Sequence, residues 1–226
     1  MRKGLILATV TAVVLSMPVA VAKDSKETKE SKGSKVAATK SICASTKAVA
    51  HKPINVKIPT IPATVKNRTF TFTTNCGDIV VQTDGAATPL TVTALTALIN
   101  AGWYTKSLCH RLTTQGIFVI QCGDPTATGS GGPQWRYPDE NLPDASTNNY
   151  PAGIVAMANS GQNTNGSQFF FVYADTTLGP SYTRWGKITK GLDILKYVAA
   201  QGVLGGGGDG TPKQTFAIEK VSVSYK

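Results

Sequence analysis

The chain has 226 residues and a formal net charge of +10, a length that suits one domain of ordinary size with extensions. The charge is uneven: residues 23–62 hold nine lysines against three acids, whereas residues from Ala63 onward hold 12 Lys/Arg against 10 Asp/Glu. A nucleic-acid-binding protein usually carries a basic face on its folded part, so we expect no nucleic acid partner. The basic segment is then a solvated tail or is weakly attracted to an anionic envelope surface.

Residues 1–22 have the features of an export signal. Arg2 and Lys3 form a basic start, residues 5–15 an apolar core, and residues 20–22 (Ala-Val-Ala) a small-residue cleavage site. An uncleaved membrane anchor is the alternative, because about 18 mostly apolar residues are borderline for spanning a bilayer. We expect an exported protein, extracellular or associated with the cell envelope.

Residues 23–62 have the composition of a disordered tail and linker. Residues 23–41 are rich in Lys, Ser and Glu and show no apolar period, so they bury too little surface to offset the entropy of ordering. The Pro-containing stretch 52–62 continues as an extended linker. We therefore predict that the folded domain covers residues 63–226.

The residue pattern of the folded part predicts eight strands and two helices. The first strand has Phe70 and Phe72 alternating with Thr. The other strands lie near 78–83, 107–112, 117–121, 153–158, 168–173, 184–188 and 215–224. Eight strands can close into a barrel filled by side chains, although the pattern alone also allows a β-sandwich.

Both helices have clear sequence signals. The first has Thr88 as N-cap and Pro89 at the first helical position. Its apolar face carries Val92, Leu95 and Ile99. The second covers residues 192–200, and the glycine-rich residues 205–210 that follow it are predicted to form a flexible loop.

Four cysteines, Cys43, Cys76, Cys109 and Cys122, make an even set in a chain with an export signal. They permit two disulfides, with three possible pairings. No CxxC pair or His cluster indicates a metal site, and we expect neither a metal nor a cofactor.

The most informative stretch is residues 157–171, which joins a run of side-chain amides directly to a Gln-Phe-Phe strand start. Amides carry both donors and acceptors, so such a run can bind an extended peptide backbone while Phe170 offers an apolar surface beside it. The stretch resembles the signature of the cyclophilins, which are peptidyl-prolyl isomerases. Three further segments, 109–111, 118–124 and 129–133, resemble the family pattern in the same order, so the similarity covers roughly residues 69–223.

The resemblance implies a mainly β fold: a closed eight-stranded antiparallel barrel capped by two helices. It also implies catalysis of rotation about X–Pro bonds in proline-containing polypeptides, by a monomer similar to exported actinobacterial forms. A binding module that captures proline-containing segments with little turnover is the alternative. The disulfide pairing implied by the family's register is Cys109 with Cys122, which leaves Cys43 for Cys76.

The resemblance also implies the site residues. Arg111 matches the catalytic arginine, and Gln121 and Gln168 would orient it and the substrate carbonyls. Ala158 and Asn159 would bind the residue before proline through their backbone. The proline pocket would be formed by Phe118, Val119, Phe170, Leu178 and Tyr182. Val119 replaces the family's usual Met and Tyr182 its pocket histidine, while His110 points away from Arg111 as a structural residue.

Overall fold

The structure is a computed structural model and describes residues 41–61 and 64–225. The predicted export signal, most of the predicted tail and three further positions (62, 63 and 226) lie outside the described residues. Within the described part of the chain, none of the helices combines the length and apolar character needed to cross a membrane.

Within the described residues, ten strands form a single antiparallel sheet, and two helices accompany it. The strands are β1 (Arg68–Thr74), β2 (Gly77–Thr83), β3 (Ser107–Leu108), β4 (Arg111–Thr113), β5 (Val119–Cys122), β6 (Ile154–Met157), β7 (Phe169–Val172), β8 (Arg184–Lys190), β9 (Asp209–Gly210) and β10 (Ala217–Tyr225). The mainly β architecture with two helices is confirmed. The structure has two strands more than the eight predicted. Segment 107–112 is divided into β3 and β4, and β9 lies in residues 205–210, which were predicted to form a flexible loop.

The divided strand brings the two ends of the sheet together. The sheet order is β3-β10-β1-β2-β8-β6-β7-β5-β4-β9, so β3 lies at one end and β4 next to the other end, although only two residues separate them in the chain. The backbone N–H of Cys109 still donates to Phe216 of the β10 side (2.9 Å), whereas that of His110 donates to Gln121 of β5 (3.1 Å). The chain therefore changes partner at this point and the sheet curls strongly. Among the described residues β3 and β9 stay its two edge strands, so the sheet is a curled half-barrel where a closed barrel was predicted.

The inside of the curled sheet is filled by alternating strand residues. Phe70 and Phe72 of β1 are at most 1% exposed, as the Thr/Phe alternation predicts for a strand with one buried face. Phe72 contacts Phe169 of β7, with ring centroids 5.3 Å apart, and Phe169 lies edge-on to Trp185 of β8 at 5.9 Å. This packing fixes the position of β7, which carries part of the candidate site and pairs with β5.

Helix α1 (Pro89–Asn100) packs its predicted apolar face into the core, whereas its N-terminal contact differs from the prediction. The hydroxyl of Thr88 makes no capping bond and donates instead to the carbonyl of Asp84 (2.6 Å). The carboxylate of Glu140 accepts from the backbone N–H groups of Leu90 (2.9 Å) and Thr91 (2.8 Å). A distant loop thus supplies the acceptor that the free N–H groups of a helix start require. Helix α2 covers Leu192–Ala200, as predicted.

Residues 41–61 contain no helix or strand, yet they are bonded to turns and loops of the folded domain. The backbone N–H of Ala44 donates to Asn75 (2.8 Å), that of His51 to Pro125 (2.8 Å), and the indole N–H of Trp135 to Val56 (2.7 Å). These contacts differ from the disordered linker expected for this stretch. The difference arises because backbone groups and a disulfide hold the segment, and neither leaves an apolar period in the sequence.

Both predicted disulfides are present, Cys43–Cys76 and Cys109–Cys122. The first joins segment 41–61 to the turn between β1 and β2. The second joins the interrupted strand to the end of β5, beside the register pair Arg111 and Gln121.

Candidate active site

The register of the sheet brings the predicted site residues into one row. Arg111 of β4 pairs with Gln121 of β5, Gln121 pairs with Phe170 of β7, and Phe170 pairs with Ala156 of β6. Side chains of directly paired residues lie on the same face of a sheet. The outer face of these four strands therefore presents a charged group, an amide and an aromatic ring side by side.

A chain of side-chain hydrogen bonds runs along this row. Nη1 of Arg111 donates to Oε1 of Gln121 (3.3 Å), and Nε2 of Gln121 donates to Oε1 of Gln168 (2.8 Å). Nε2 of Gln168 in turn donates to the carbonyls of Gly129 and Gly131, both at 2.9 Å. The two glutamine amides are thus held in one orientation, and Arg111 is connected to residues 129–133, hereafter the glycine loop.

The glycine loop is held by one buried carboxylate. Asp124 is fully buried and accepts from the backbone N–H groups of Thr126 (2.7 Å), Gly129 (2.8 Å) and Gly131 (3.0 Å). Burial alone would raise the pKa of Asp124, but these hydrogen bonds and the Thr126 hydroxyl together lower it. A Cβ at Gly131 would collide with the same carboxylate, so the close approach requires glycine there.

Arg111 also forms an ion pair that the sequence did not predict. Its Nε donates to Oδ1 of Asp209 (2.8 Å) and its Nη2 to Oδ2 (2.7 Å), in a two-bond, side-on arrangement. The hydrogen bond from Arg111 lowers the pKa of Asp209, and Asp209 raises that of Arg111. Asp209 belongs to β9, which the glycine-rich composition had indicated to be a flexible loop. No sequence signal identified it.

An apolar cluster lies beside the polar row. Val119 and Phe170 are 3% and 4% exposed, and Leu178, Tyr182 and Ala158 pack against them. The ring of Tyr182 meets Phe170 edge-on, with centroids 5.5 Å apart. Five of the predicted binding residues therefore form one surface with an aromatic wall, next to Gln121.

Tyr150 supports this cluster and was also missed in the sequence. Its ring lies 6.1 Å from Tyr182 and 6.2 Å from Phe170. Its hydroxyl accepts from the backbone N–H of Tyr182 (3.0 Å) and donates to the carbonyl of the same residue (3.1 Å). Burial raises the pKa of Tyr150, so its hydroxyl stays protonated at neutral pH. It lies outside the matched motifs, directly before Pro151, and only its contacts reveal the role.

Phe118 does not join the cluster, contrary to the prediction for the proline pocket. It precedes Val119, and successive strand residues point to opposite faces. Its ring instead packs against the core inside the curled sheet. It lies edge-on to Tyr173, with ring centroids 6.0 Å apart.

The loop residue Asn159 lies at the edge of the cluster, where its backbone faces the groove described below. Its side-chain Nδ2 donates to the carbonyl of Ser181 (2.7 Å), while the N–H of Ala158 is bonded to Gln168 (3.0 Å). Within residues 41–61 and 64–225, the backbone N–H and C=O of Asn159 have no hydrogen-bond partner. A groove lined by Gln121, the glycine loop, Ala158, Asn159 and Gln168 continues from here.

His110 is half-buried beside the row. Burial lowers its pKa, the charge of Asp124 raises it, and that of Arg111 lowers it again, with a lower value as the net result. The imidazole is therefore neutral at pH 7. Neither ring nitrogen has a hydrogen-bond partner in the described part of the chain, which fits a structural residue better than a proton-transfer group.

Comparison with known proteins gives consistent results. The family described as cyclophilin type peptidyl-prolyl cis-trans isomerase/CLD matches residues 69–223. A probable peptidyl-prolyl cis-trans isomerase B of Mycobacterium leprae (strain TN) is 42% identical over 176 residues, which cover 73% of this chain and 59% of that protein. A probable isomerase A of the same organism is 35% identical, covering 71% of this chain and 94% of that protein. The chain thus spans little more than half the length of the first of these relatives.

A solved structure shows the same fold. The Cryptosporidium parvum cyclophilin type peptidyl-prolyl cis-trans isomerase, crystallised in the presence of the dipeptide Ala-Pro, has a TM-score of 0.60 and 26% identity. It covers 70% of this chain and 99% of its own.

Proposed function

Because the chain belongs to the cyclophilin-type peptidyl-prolyl cis-trans isomerase family, we propose that it accelerates cis-trans rotation about X–Pro bonds in polypeptides. The observation that carries this proposal is the placement of Arg111 and Gln121 directly beside the apolar cluster of Val119, Phe170 and Tyr182. A proline ring on the cluster puts its imide bond within reach of the guanidinium.

The chemistry requires no nucleophile. Amide resonance gives a rotational barrier of about 18–20 kcal/mol, and it weakens as the bond twists. The imide nitrogen then regains its lone pair and becomes a better hydrogen-bond acceptor. A fixed cationic donor near that nitrogen binds the twisted state more tightly than the planar ground state, which lowers the barrier.

Arg111 has the donors for this task. A guanidinium carries five N–H donors and is always charged. Three of them are bonded, two to Asp209 and one to Gln121. One N–H on Nη1 and one on Nη2 have no partner in the described part of the chain and are available to the substrate.

The substrate backbone has a place on the other side of the proline pocket. The unpartnered N–H and C=O of Asn159 form a donor and acceptor pair for an extended residue before the proline. The Nε2 of Gln168 is bonded to the glycine loop, and its Oε1 accepts from Gln121. Gln168 thereby keeps the side chain of Gln121 in a fixed orientation. One side of the X–Pro bond is thus held while the other turns.

Proteolysis-free isomerisation kinetics on an X–Pro peptide test the proposal. Wild-type protein should show turnover, and Arg111→Ala should reduce kcat and kcat/KM together by about 10²–10³-fold. Arg111→Lys should restore little, because an ammonium cannot reproduce the planar fork. Absence of turnover in the wild type, or more than half of it in folded Arg111→Ala, would support a proline-binding module instead.

We further propose that the protein acts on exported polypeptides, outside the membrane. Two disulfides in one domain support this, since disulfides persist in oxidising compartments. A monomeric state and an attraction of the basic tail to the envelope stay predictions. A protein that begins at Ser41 keeps all four cysteines and should retain full turnover. A loss above about tenfold would make the tail part of the catalytic unit.

A further inference from the structure

Asp209 reaches Arg111 because β9 pairs with β4. Asp209 lies opposite Thr113 in the antiparallel register, and Gly210 lies opposite Leu112. Thr113 and Arg111 are two residues apart on one strand and face the same side. The carboxylate of Asp209 therefore lies diagonally across from Arg111, on the face that carries the polar row, where diagonal neighbours contact one another.

The glycine-rich turn at residues 205–208, which directly precedes Asp209, is held at both ends. Leu204 donates its N–H to Thr211 (2.7 Å), and Thr114 donates its N–H to Gly208 (2.7 Å). Gly205, Gly206 and Gly207 adopt positive φ values of 79°, 87° and 88°, which other residues rarely adopt. The four consecutive glycines thus make a sharp turn that directs Asp209 back onto β4.

The ion pair is poorly placed to stabilise the fold. The side chains of Arg111 and Asp209 are 40% and 54% exposed, and exposed pairs of this kind add little to stability. The other ionisable groups near the guanidinium are His110, which burial keeps neutral, and Tyr182, while Asp124 faces the glycine loop 129–131. Among the described residues, Asp209 is thus the one carboxylate that bonds to Arg111.

We propose that Asp209 is a positioning residue for the isomerase reaction, holding Arg111 side-on so that its free N–H edge faces the imide nitrogen. This rests on the proposed function. Two parallel bonds fix the plane of the guanidinium as well as its position, which a single bond to Gln121 does not. Asp209 itself does not touch the substrate in this role.

Asp209→Asn in the full chain, assayed with the same X–Pro peptide, tests the proposal. We expect kcat to fall about 10- to 100-fold, the range that a small misplacement of a reacting group produces, with KM changed less than about threefold. Asp209→Glu should recover part of kcat. Asp193→Asn, an exposed acid at the start of α2, is the matched control and should behave as wild type.

Two further measurements separate positioning from a structural effect. In an Arg111→Ala background, Asp209→Asn should have no additional effect, because residues that act through one another are not additive. The ¹H–¹⁵N signal of Arg111 Nε should be protected from solvent exchange in wild type and lose that protection in Asp209→Asn. Melting temperatures should agree between the two proteins.

Each contrary result has a distinct meaning. If wild-type protein turns over and Asp209→Asn matches it, the positioning role is wrong while the proposed function stands. If Asp209→Asn is faster than wild type, the ion pair competes with the substrate and the inference is overturned. If Asp209→Asn still lowers kcat in the Arg111→Ala background, Asp209 does not act through Arg111. No turnover in the wild type would refute the proposed function itself.

Discussion

Phe118 and Tyr182 provide a sharp test of which face of β5 binds the substrate. Phe118 packs on the core side against Tyr173, whereas Tyr182 lies on the outer side against Phe170. Truncating Phe118 should therefore destabilise the protein and leave the KM of the folded molecule unchanged. Truncating Tyr182 should raise KM, because it removes an aromatic wall of the proposed proline pocket.

The contacts set the size of these effects. Loss of a fully buried Phe side chain costs about 3–5 kcal/mol, and Phe118 is only partly buried, so we expect about 2 kcal/mol for Phe118→Ala. An edge-on aromatic contact such as that with Tyr173 contributes about 0.5–1.5 kcal/mol of such a loss. For Tyr182→Ala we expect about 1 kcal/mol, since the backbone bond to Tyr150 is kept, together with about a tenfold rise in KM.

Urea unfolding gives the free energies, and isomerisation kinetics at several peptide concentrations give KM and kcat. Phe118→Leu is the control, because it should recover most of the lost stability without altering KM. An unchanged free energy of unfolding in Phe118→Ala, with KM raised as much as in Tyr182→Ala, would refute the assignment of Phe118 to the core.

Three other predictions concern stability. Replacing both Cys43 and Cys76 by Ser should lower the free energy of unfolding by about 3–4 kcal/mol, given the 33-residue separation, and urea titration should show this with turnover retained in the folded protein. Glu140→Ala should cost about 1–2 kcal/mol through the lost helix cap, visible as a lower melting temperature, while no loss would contradict the capping role. The lowered pKa of Asp124 means that its ionised form adds stability above the ordinary carboxyl pKa, a contribution lost as the pH falls through the depressed value. Acid unfolding should therefore be less steep in Asp124→Asn than in wild type, and equal slopes would argue against this account.

The sequence allowed those features to be predicted that depend on short-range pattern. The Phe/Thr alternation located β1, and the contiguous amide run located Gln168 and Phe170, because strand pairing then sets their neighbours. The partner of Arg111 could not be predicted in this way. Asp209 lies 98 residues away, in a glycine-rich stretch whose composition indicates flexibility, and only the β4–β9 pairing brings it close.

Alternation also explains why Phe118 packs apart from the other predicted pocket residues. The match with the family places Phe118 in a motif but does not specify the face of the strand, and the adjacent Val119 occupies the outer face. Segment 41–61 shows a second reason why a structural feature could not be predicted from the sequence. It is held by backbone hydrogen bonds and by Cys43–Cys76, which are interactions that do not depend on the side-chain pattern of the segment.

The Cys109–Cys122 disulfide has a consequence for how the site tolerates change. A slip of one residue between β4 and β5 would turn Gln121 inward and Ile120 outward, exchanging the face of the candidate site for the core face. The covalent bond just beyond the Arg111–Gln121 pair prevents such a slip, whatever the length of the connecting turn. Insertions or deletions in the turn at residues 114–117 should therefore leave the alignment of Arg111 with Gln121 unchanged.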